Sequence, residues 1–159
     1  MPKAIFLDRD GIINRERGDY TYKIKDFVIN DGVIDTLKTL SNYGYLLIII
    51  SNQGGISKNI YSKNDVDKLH QYLLFELEKH NINITEIYYC PHHSDNEKCL
   101  CRKPEALLFE KAIARYNINI SQSYMIGDSK RDVIAAEKVG IKGIKIEPND
   151  DLRKILKLI

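Results

Sequence analysis

The amino-acid sequence predicts an α/β fold, with a parallel sheet of about five strands and helices on both of its faces. Two observations predict it. Short apolar runs alternate along the 159 residues with longer segments whose apolar residues recur every three or four positions. No Gly/Ser-rich linker or low-complexity stretch divides this alternation, so we expect one domain over residues 1–159.

Five apolar runs are typical of buried strands, because each is short and is followed by residues that favour a loop. Leu46–Ile50 is the longest aliphatic run, and the polar residues from Ser51 onward stop it. The predicted strands are Ala4–Leu7, Tyr45–Ile50, Glu86–Tyr89, Ser123–Ile126 and Ile141–Ile146.

Five longer segments have helical spacing. In the first, Val33, Leu37 and Leu40 fall on one face. Pro104 stands in the first turn of the third segment, and Gly140 is a candidate C-cap of the fourth. The predicted helices are Gly32–Tyr43, Asn64–His80, Pro104–Tyr116, Ser129–Val139 and Asp150–Ile159.

Composition and charge argue against two classes of function. The 24 basic and 22 acidic residues give a net charge of +2 without a long basic block, which argues against a nucleic-acid-binding protein. No basic stretch leads into a long apolar run at the N-terminus, and the longest aliphatic run is too short to cross a bilayer. We therefore expect a cytoplasmic protein with no nucleic-acid or membrane partner.

Polar side chains follow the predicted strands at their carboxyl ends, where parallel α/β sheets bind ligands. The first strand is followed by Asp8 and Asp10, and the second by Ser51 and Asn52. Asp128 follows the fourth strand. Carboxylate oxygens suit a hard cation such as Mg²⁺. The sequence therefore predicts a divalent-cation site at this edge.

Positive charge is expected at the same edge, from Arg102 and Lys103 after the third strand. A phosphoryl group needs such cations and hydrogen-bond donors on its oxygens. Each residue type also has a structural explanation, since Asp, Ser and Asn are common in turns and lysines are usually solvated. Asp132 is a further candidate: it either caps the helix that begins near Ser129 or supports the metal site, and the two roles are compatible.

Four motifs resemble those of a known superfamily. Asp8–Gly11 after an apolar strand resembles the first motif of the haloacid dehalogenase superfamily. Ser51, Lys103 and Gly127–Asp128 resemble its second, third and fourth motifs, in the same order. The resemblance covers about residues 5–146 and implies a Rossmann-like sheet.

More narrowly, the chain is similar to two groups of small phosphatases, which act on D-glycero-D-manno-heptose 1,7-bisphosphate and on histidinol phosphate. Residues 14–29 are too few for a large cap domain, so we expect an open site covered only by loops. The segments that carry the similarity are Phe6–Gly11, Ser51–Gln53, Tyr89–His93 and Cys99–Pro104.

The resemblance implies a Mg²⁺-dependent phosphomonoesterase that works in two steps. Asp8 attacks phosphorus and forms an aspartyl-phosphate. Asp10 protonates the departing alkoxide and then takes a proton from the hydrolytic water. Asp8, the Asp10 main-chain carbonyl and Asp128 would hold Mg²⁺, while Ser51 and Lys103 would hold the phosphoryl oxygens.

The substrate we predict is a small phosphorylated metabolite, D-glycero-D-manno-heptose 1,7-bisphosphate, losing its 7-phosphate. Histidinol phosphate is the alternative: Glu16 and Asp19 would suit its cationic groups, whereas extra arginines would suit a second phosphate. Ser129 stands where both groups of phosphatases carry a basic residue, which leaves Lys130 or Arg131 to replace it. The predicted substrate contacts are Arg17, Gly18, Tyr20, Asn52, Arg102 and Lys130. A third hypothesis is an inactive, zinc-bound binding module, against which the complete acidic and lysine set argues.

Cysteine and histidine residues form a second cluster between the third strand and Lys103. Three thiols and one imidazole are a tetrahedral zinc set without an open position, which indicates a structural site; the alternative is three ordinary buried thiols and a surface histidine. The resemblance implies zinc here, in a loop that would aim Lys103. The predicted ligands are Cys90, His92, Cys99 and Cys101, whereas His93 is expected not to bind metal and His70 and His80 are expected to be solvated.

Overall fold

The computed structural model describes all 159 residues and confirms the predicted fold class. Its five strands form one sheet in which every neighbouring pair is parallel. The strands are β1 (Lys3–Leu7), β2 (Tyr45–Asn52), β3 (Glu86–Cys90), β4 (Tyr124–Gly127) and β5 (Lys142–Lys145). Their order in the sheet is β3-β2-β1-β4-β5, which places the first strand in the middle.

Helices cover both faces of the sheet, as predicted, and no large cap is present. The α-helices are α1 (Val33–Asn42), α2 (Lys63–Glu78), α3 (Leu107–Tyr116) and α4 (Lys130–Lys138). One apolar core packs α1 and α2 with a C-terminal 3-10 helix, and the other packs α3 and α4. No helix has the length and apolar character that crossing a membrane would require.

The alternation of side chains along β1 separates the two cores. Ile5 and Leu7 pack into one core, while Ala4 and Phe6 pack into the other, and all four are fully buried. Phe6 lies against Phe109 of α3, with 5.1 Å between ring centroids. Because both faces of β1 are buried, its carboxyl end is held firmly where Asp8 begins.

The predicted helix over Asp150–Ile159 is wrong. Only Leu152–Lys157 is helical, and it is a 3-10 helix. Its two buried residues, Leu152 and Ile155, are three positions apart, which matches the period of a 3-10 helix and leaves little for a longer α-helix to bury. Asp151 caps its start by accepting a hydrogen bond from the Arg153 main-chain N–H, 3.0 Å away.

The third predicted helix begins three residues later than expected. It starts at Leu107, so Pro104 precedes the helix instead of occupying its first turn. The reason is a tight turn before the helix, in which the Glu105 main-chain N–H donates to the Arg102 carbonyl over 2.7 Å. This turn leaves Lys103 free to point back to the sheet edge.

Candidate active site

Four charged side chains meet at the carboxyl edge of the sheet, beyond β1 and β4. Lys103 Nζ lies 2.9 Å from Asp8 Oδ1 and 2.6 Å from Asp132 Oδ1. Asp8, Asp128 and Asp132 place carboxylate oxygens within 4.8 Å of one another. The structure therefore brings together Asp8, Lys103 and Asp128, which were expected at this edge, and the further candidate Asp132.

Lys103 is held from both its ends. Its ammonium group donates to the Ile50 main-chain carbonyl at the end of β2, 2.7 Å away, in addition to the two carboxylates. The Asn52 side chain makes two hydrogen bonds with the Lys103 backbone: it donates one to the carbonyl (3.1 Å) and accepts one from the N–H (2.9 Å). Asn52, a predicted substrate contact, thus also positions the lysine.

Asp132 caps α4 and holds the lysine at the same time. Its Oδ2 accepts a hydrogen bond from the Ser129 main-chain N–H (3.1 Å), and Ser129 Oγ accepts from the Arg131 N–H (3.2 Å). Both oxygens of Asp132 are therefore engaged. Gly127 makes room for it, since a Cβ at Gly127 would lie 2.3 Å from the Asp132 Cβ. Asp132 therefore has two roles: it caps α4, and it supports the site by binding Lys103.

The cluster sets three carboxyl groups against one ammonium, so it has an excess of negative charge when all three are ionised. Burial raises the pKa of Asp8 to about 8, with Lys103 opposing the shift and Asp132 and Asp128 adding to it. Burial and Asp132 also raise the pKa of Asp128. Burial alone would lower the pKa of Lys103, but its two carboxylate partners raise it. A dication placed beside Asp8 and Asp128 would relieve this repulsion.

Asp10 occupies a different environment, because three side chains donate hydrogen bonds to it. Arg9 Nη2 (2.8 Å) and Asn14 Nδ2 (2.9 Å) reach Oδ1, and Gln53 Nε2 (3.1 Å) reaches Oδ2. Burial would raise the pKa of Asp10, but the Arg9 charge and these hydrogen bonds lower it. The pKa values of the two aspartates of the first motif therefore shift in opposite directions. The shift favours the acid form of Asp8 and the carboxylate form of Asp10.

Sequence reasoning missed the residues that hold Asp10 in place. The prediction that His70 is solvated is wrong: it is 6% exposed, and its Nε2 lies 3.2 Å from Nη1 of the fully buried Arg9. A signal was available, since Val66, Leu69, His70 and Leu73 follow the spacing of a single buried helix face. The buried face of α2 therefore includes one polar residue, His70, among its apolar ones.

Gln53 was missed as well. Its amide donates to Ser51 Oγ (2.7 Å) as well as to Asp10, and its carbonyl accepts from the Tyr61 hydroxyl (2.7 Å). Tyr61 stacks on Tyr22, with 4.9 Å between ring centroids. Tyr61 therefore fixes which end of the Gln53 amide faces Asp10. No sequence signal tied Tyr61 to the site.

A pocket of about 430 Å³ opens over the cluster, and only one of its 16 lining residues is hydrophobic. Of the predicted substrate contacts, four line it: Gly18, Tyr20, Asn52 and Arg102. Glu16 and Asp19 also lie in its wall. Arginine and acidic side chains thus both face the space where a substrate would lie.

Three predicted residues lie outside the pocket lining. Arg17 is turned into its own loop, where Nε donates to Thr21 Oγ1 over 3.2 Å. Lys130 is exposed at the start of α4, and Arg131 lines the pocket in its place. Ser51 is 1% exposed and does not line the pocket. Its interaction with a phosphoryl group stays a prediction.

The cysteine and histidine side chains of the loop after β3 lie together. Cys90 Sγ is 3.7 Å from Cys99 Sγ, 3.4 Å from His92 Nδ1 and 2.8 Å from Cys101 Sγ. Zinc–sulfur bonds of about 2.3 Å in a tetrahedron require sulfur atoms about 3.8 Å apart, so the first separation already fits and the last would widen. His93 lies outside this cluster and lines the pocket instead.

Comparison with known proteins places the chain among phosphatases. Residues 100–150 match a family model described as HAD-hydrolase-like. A D-glycero-β-D-manno-heptose-1,7-bisphosphate 7-phosphatase of Haemophilus ducreyi is 42% identical over 146 residues, covering 88% of this chain and 80% of that protein. A D-glycero-α-D-manno-heptose-1,7-bisphosphate 7-phosphatase of Campylobacter jejuni is 40% identical over 152 residues, covering 96% of this chain and 86% of that protein.

A solved structure shows the same fold. The crystal structure of D,D-heptose 1,7-bisphosphate phosphatase from B. bronchiseptica, complexed with magnesium and phosphate, is similar at a TM-score of 0.87 and 24% identity, covering 99% of this chain and 87% of that chain. Identity of about 40% over most of both chains shows common family membership, and the predicted resemblance is confirmed. The chain therefore belongs to the heptose-1,7-bisphosphate 7-phosphatase family of the haloacid dehalogenase superfamily, and it is a phosphoric monoester hydrolase.

Proposed function

We propose that this protein removes the 7-phosphate of D-glycero-D-manno-heptose 1,7-bisphosphate through an aspartyl-phosphate on Asp8. One observation supports this most strongly: the cluster of Asp8, Lys103 and two further carboxylates opens into a polar pocket in a chain about 40% identical to proteins of that name. Arg102 and Arg131 in the pocket wall would hold the second phosphate.

The first step is in-line attack by an Asp8 oxygen on phosphorus. The bond from phosphorus to the sugar oxygen breaks, and Asp10 gives its proton to that oxygen. Asp10 is a carboxylate in the free protein, so it gains this proton when the negative charge of the phosphoryl group enters beside it and raises its pKa. Lys103, already on Asp8, balances the charge on the transferring group.

The second step returns the protein to its starting state. A water molecule gives its proton to Asp10 and attacks the phosphorus of the aspartyl-phosphate. Inorganic phosphate leaves, Asp8 is a carboxylate again, and Asp10 releases its proton to solvent once the phosphate charge has left. In the free protein burial raises the pKa of Asp8, and a magnesium ion beside Asp8 would lower that pKa and keep the side chain as the carboxylate that attacks phosphorus.

The residues fit a magnesium ion, which the proposed reaction requires. Asp8, Asp128 and the Asp10 main-chain carbonyl would hold it, and the ion would neutralise charge on the phosphoryl oxygens. The fit rests on the excess negative charge of the cluster and on Gly11, where a Cβ would lie 2.0 Å from Asp128 Oδ2. A side chain at Gly11 would fill the space that Asp128 needs.

We also propose that Cys90, His92, Cys99 and Cys101 hold a structural zinc ion. The donor set is complete, with three sulfur atoms and one nitrogen within 4.8 Å of one another. Cys90 is buried at the end of β3, and Cys101 lies two residues before Lys103. The cluster therefore connects the sheet to the catalytic lysine. Zinc would fix this connection, which has little apolar surface of its own.

The nucleophile is tested with Asp8→Asn, which keeps the shape of the side chain and removes its nucleophilicity. Turnover of the bisphosphate should be abolished, while far-UV circular dichroism stays unchanged. Asp35→Asn, at an exposed position on α1, is the matched control and should be fully active. In Asp10→Asn, mass spectrometry should detect one added phosphoryl group on Asp8. Substantial turnover by Asp8→Asn would overturn the mechanism.

The substrate is tested by comparing kcat/KM for the bisphosphate, as both anomers, with kcat/KM for histidinol phosphate. The acidic pair Glu16 and Asp19 in the pocket wall is the observation that favours histidinol phosphate. We expect a higher kcat/KM for the bisphosphate than for histidinol phosphate. We also expect Arg102→Ala to lower turnover of the bisphosphate far more than turnover of a generic monoester. A tenfold preference for histidinol phosphate, about 1.4 kcal/mol in transition-state stabilisation, would overturn the substrate and leave the phosphatase activity standing.

The proposed zinc site is tested by elemental analysis of protein that has been purified without any chelator. We expect about one zinc per chain, and its loss in Cys101→Ser, with lower activity because Lys103 follows closely. Ser94→Ala, in the same loop but outside the four ligands, should keep the metal. The cysteine assignment fails if the unchelated protein contains no zinc.

A further inference from the structure

Arg9 is an arginine with no exposed surface, which is rare for this residue type. Its Nη2 donates to Asp10 Oδ1 (2.8 Å) and to the Thr21 main-chain carbonyl (2.7 Å), and its Nε donates weakly to the same Asp10 oxygen (3.3 Å). Arg9 therefore ties Asp10 to the loop that lines the pocket. Its remaining nitrogen, Nη1, needs an acceptor of its own, because a buried donor left unpaired costs about 1–3 kcal/mol.

His70 is that acceptor, with its Nε2 3.2 Å from Arg9 Nη1. A guanidinium has donors only, so His70 Nε2 must be the unprotonated nitrogen of a neutral ring that carries its proton on Nδ1. Burial and the Arg9 charge lower the pKa of His70 to about 3, which keeps the ring neutral. The neighbouring carboxylate, Asp67, accepts from the Tyr89 hydroxyl at 2.8 Å. The His70 and Tyr89 rings pack edge to face, with 5.5 Å between ring centroids.

We infer that His70 is a positioning residue for catalysis: it orients Arg9, and Arg9 orients the Asp10 carboxyl group towards the leaving-group oxygen. His70 lies on α2, outside the four sequence motifs, and it does not line the pocket. The inference rests on the proposed function, since it assigns Asp10 the role of general acid. It goes beyond that function by naming a buried histidine whose hydrogen bond acts on the proton-transfer step.

A general acid matters in proportion to the basicity of the leaving group. A nitrophenolate leaves readily without a proton, whereas a phenolate needs more help and a sugar alkoxide needs most. Misplacing Asp10 should therefore steepen the dependence of kcat/KM on leaving-group pKa. Loss of ordinary packing would instead lower kcat/KM for all substrates by the same factor. This difference separates a positioning role of His70 from a structural one.

Three variants test it. His70→Leu removes the acceptor, His70→Gln places a carbonyl oxygen near the former Nε2, and His70→Asn is polar but too short to reach Arg9. His80→Leu, an exposed position just beyond the end of α2, is the control. The substrates are 4-nitrophenyl phosphate, phenyl phosphate and the heptose bisphosphate. Thermal unfolding checks that each variant is folded.

We expect His70→Leu and His70→Asn to lose about tenfold or more in kcat/KM on phenyl phosphate and the bisphosphate, part of the hundredfold or more that a general acid supplies, but less than about threefold on 4-nitrophenyl phosphate. His70→Gln and His80→Leu should match wild type. An equal loss on all three substrates, or a His70→Gln as impaired as His70→Asn, would overturn the inference. The Gln and Asn pair decides the matter even if the leucine variant does not fold.

Nitrogen-15 NMR of the histidine rings tests the hydrogen bond independently of turnover. The His70 ring should be neutral and protonated at Nδ1 between pH 5 and 8. A ring protonated at Nε2 would overturn the inference whatever the kinetics show. If wild type hydrolyses none of the three esters, the proposed function fails, and so does the catalytic role assigned to His70; an Nδ1-protonated ring would then confirm only its bond to Arg9.

Discussion

The magnesium-free protein should lose stability as the pH rises from about 4 to about 8. Burial and the neighbouring carboxylates raise the pKa of Asp8 to about 8 in the folded protein, against about 3.9 in an unfolded chain. Across this window the folded protein keeps a proton that the unfolded chain has released. Stability therefore falls with rising pH, and it is fully present only below the unfolded pKa.

The size of the effect follows from the same cluster. About four pKa units correspond to at most about 5–6 kcal/mol. The Asp8 side chain keeps 14% of its surface exposed, and charges in proteins respond as in a medium with a dielectric constant of about 20, so we expect about 2–3 kcal/mol at pH 8. Asp8→Asn has nearly the same shape without the charge. It should be more stable than wild type by that amount at pH 8 and within about 1 kcal/mol of it at pH 5.

The assay is urea unfolding followed by circular dichroism, in buffer freed of magnesium but without a chelator, so that any zinc stays bound. Asp35→Asn controls for the general effect of removing a carboxylate. Adding magnesium should stabilise wild type and narrow its gap to Asp8→Asn, because the ion binds the folded state. If wild type is equally stable at pH 5 and pH 8, and Asp8→Asn is less stable at both, the electrostatic reasoning is refuted.

Three further substitutions have expected outcomes. Gly11→Ala should abolish magnesium-stimulated turnover, because Gly11 has a φ of +89° and its new Cβ would overlap the Asp128 carboxylate; turnover near wild type would contradict this. Asn52→Ala should cost about 1–3 kcal/mol in urea unfolding and lower kcat, since it frees the backbone of Lys103 and leaves buried groups unpaired. Phe109→Ala should cost about 3–5 kcal/mol in the same assay by opening a cavity against β1, with little change in the kcat of the folded fraction.

The sheet could be predicted from sequence because periodicity reports burial directly. All five strands, and four of the five helices, lie where the apolar pattern indicated, with ends that differ by at most three residues. The C-terminal segment failed because two apolar residues three positions apart suit a 3-10 helix as well as an α-helix. Strand order was not predicted, since it depends on how the helices pack across the sheet.

The site, like the fold, has residues that the sequence could predict and residues that it could not. Asp8, Lys103 and Asp128 follow strands, so the rule that parallel strands present ligands at their carboxyl ends was enough to gather them. The partners of Asp10 depend on side-chain paths through the interior, which no spacing along the chain reveals. Arg17 and Arg131 show the limit most clearly: both are basic residues near the pocket, and only the hydrogen bonds of the folded loops decide which one faces it.

The central position of β1 has a consequence for synthesis on the ribosome. Of the five strands, β1 is the first to be synthesised, yet one of its two edges pairs with β4, which begins at Tyr124. Until residue 127 has left the exit tunnel, a strand buried on both faces in the finished protein has an open edge that could pair with another chain. The same event brings Asp128 to Asp8, so the nascent chain becomes competent to hold the proposed catalytic ion only when this exposed edge is closed.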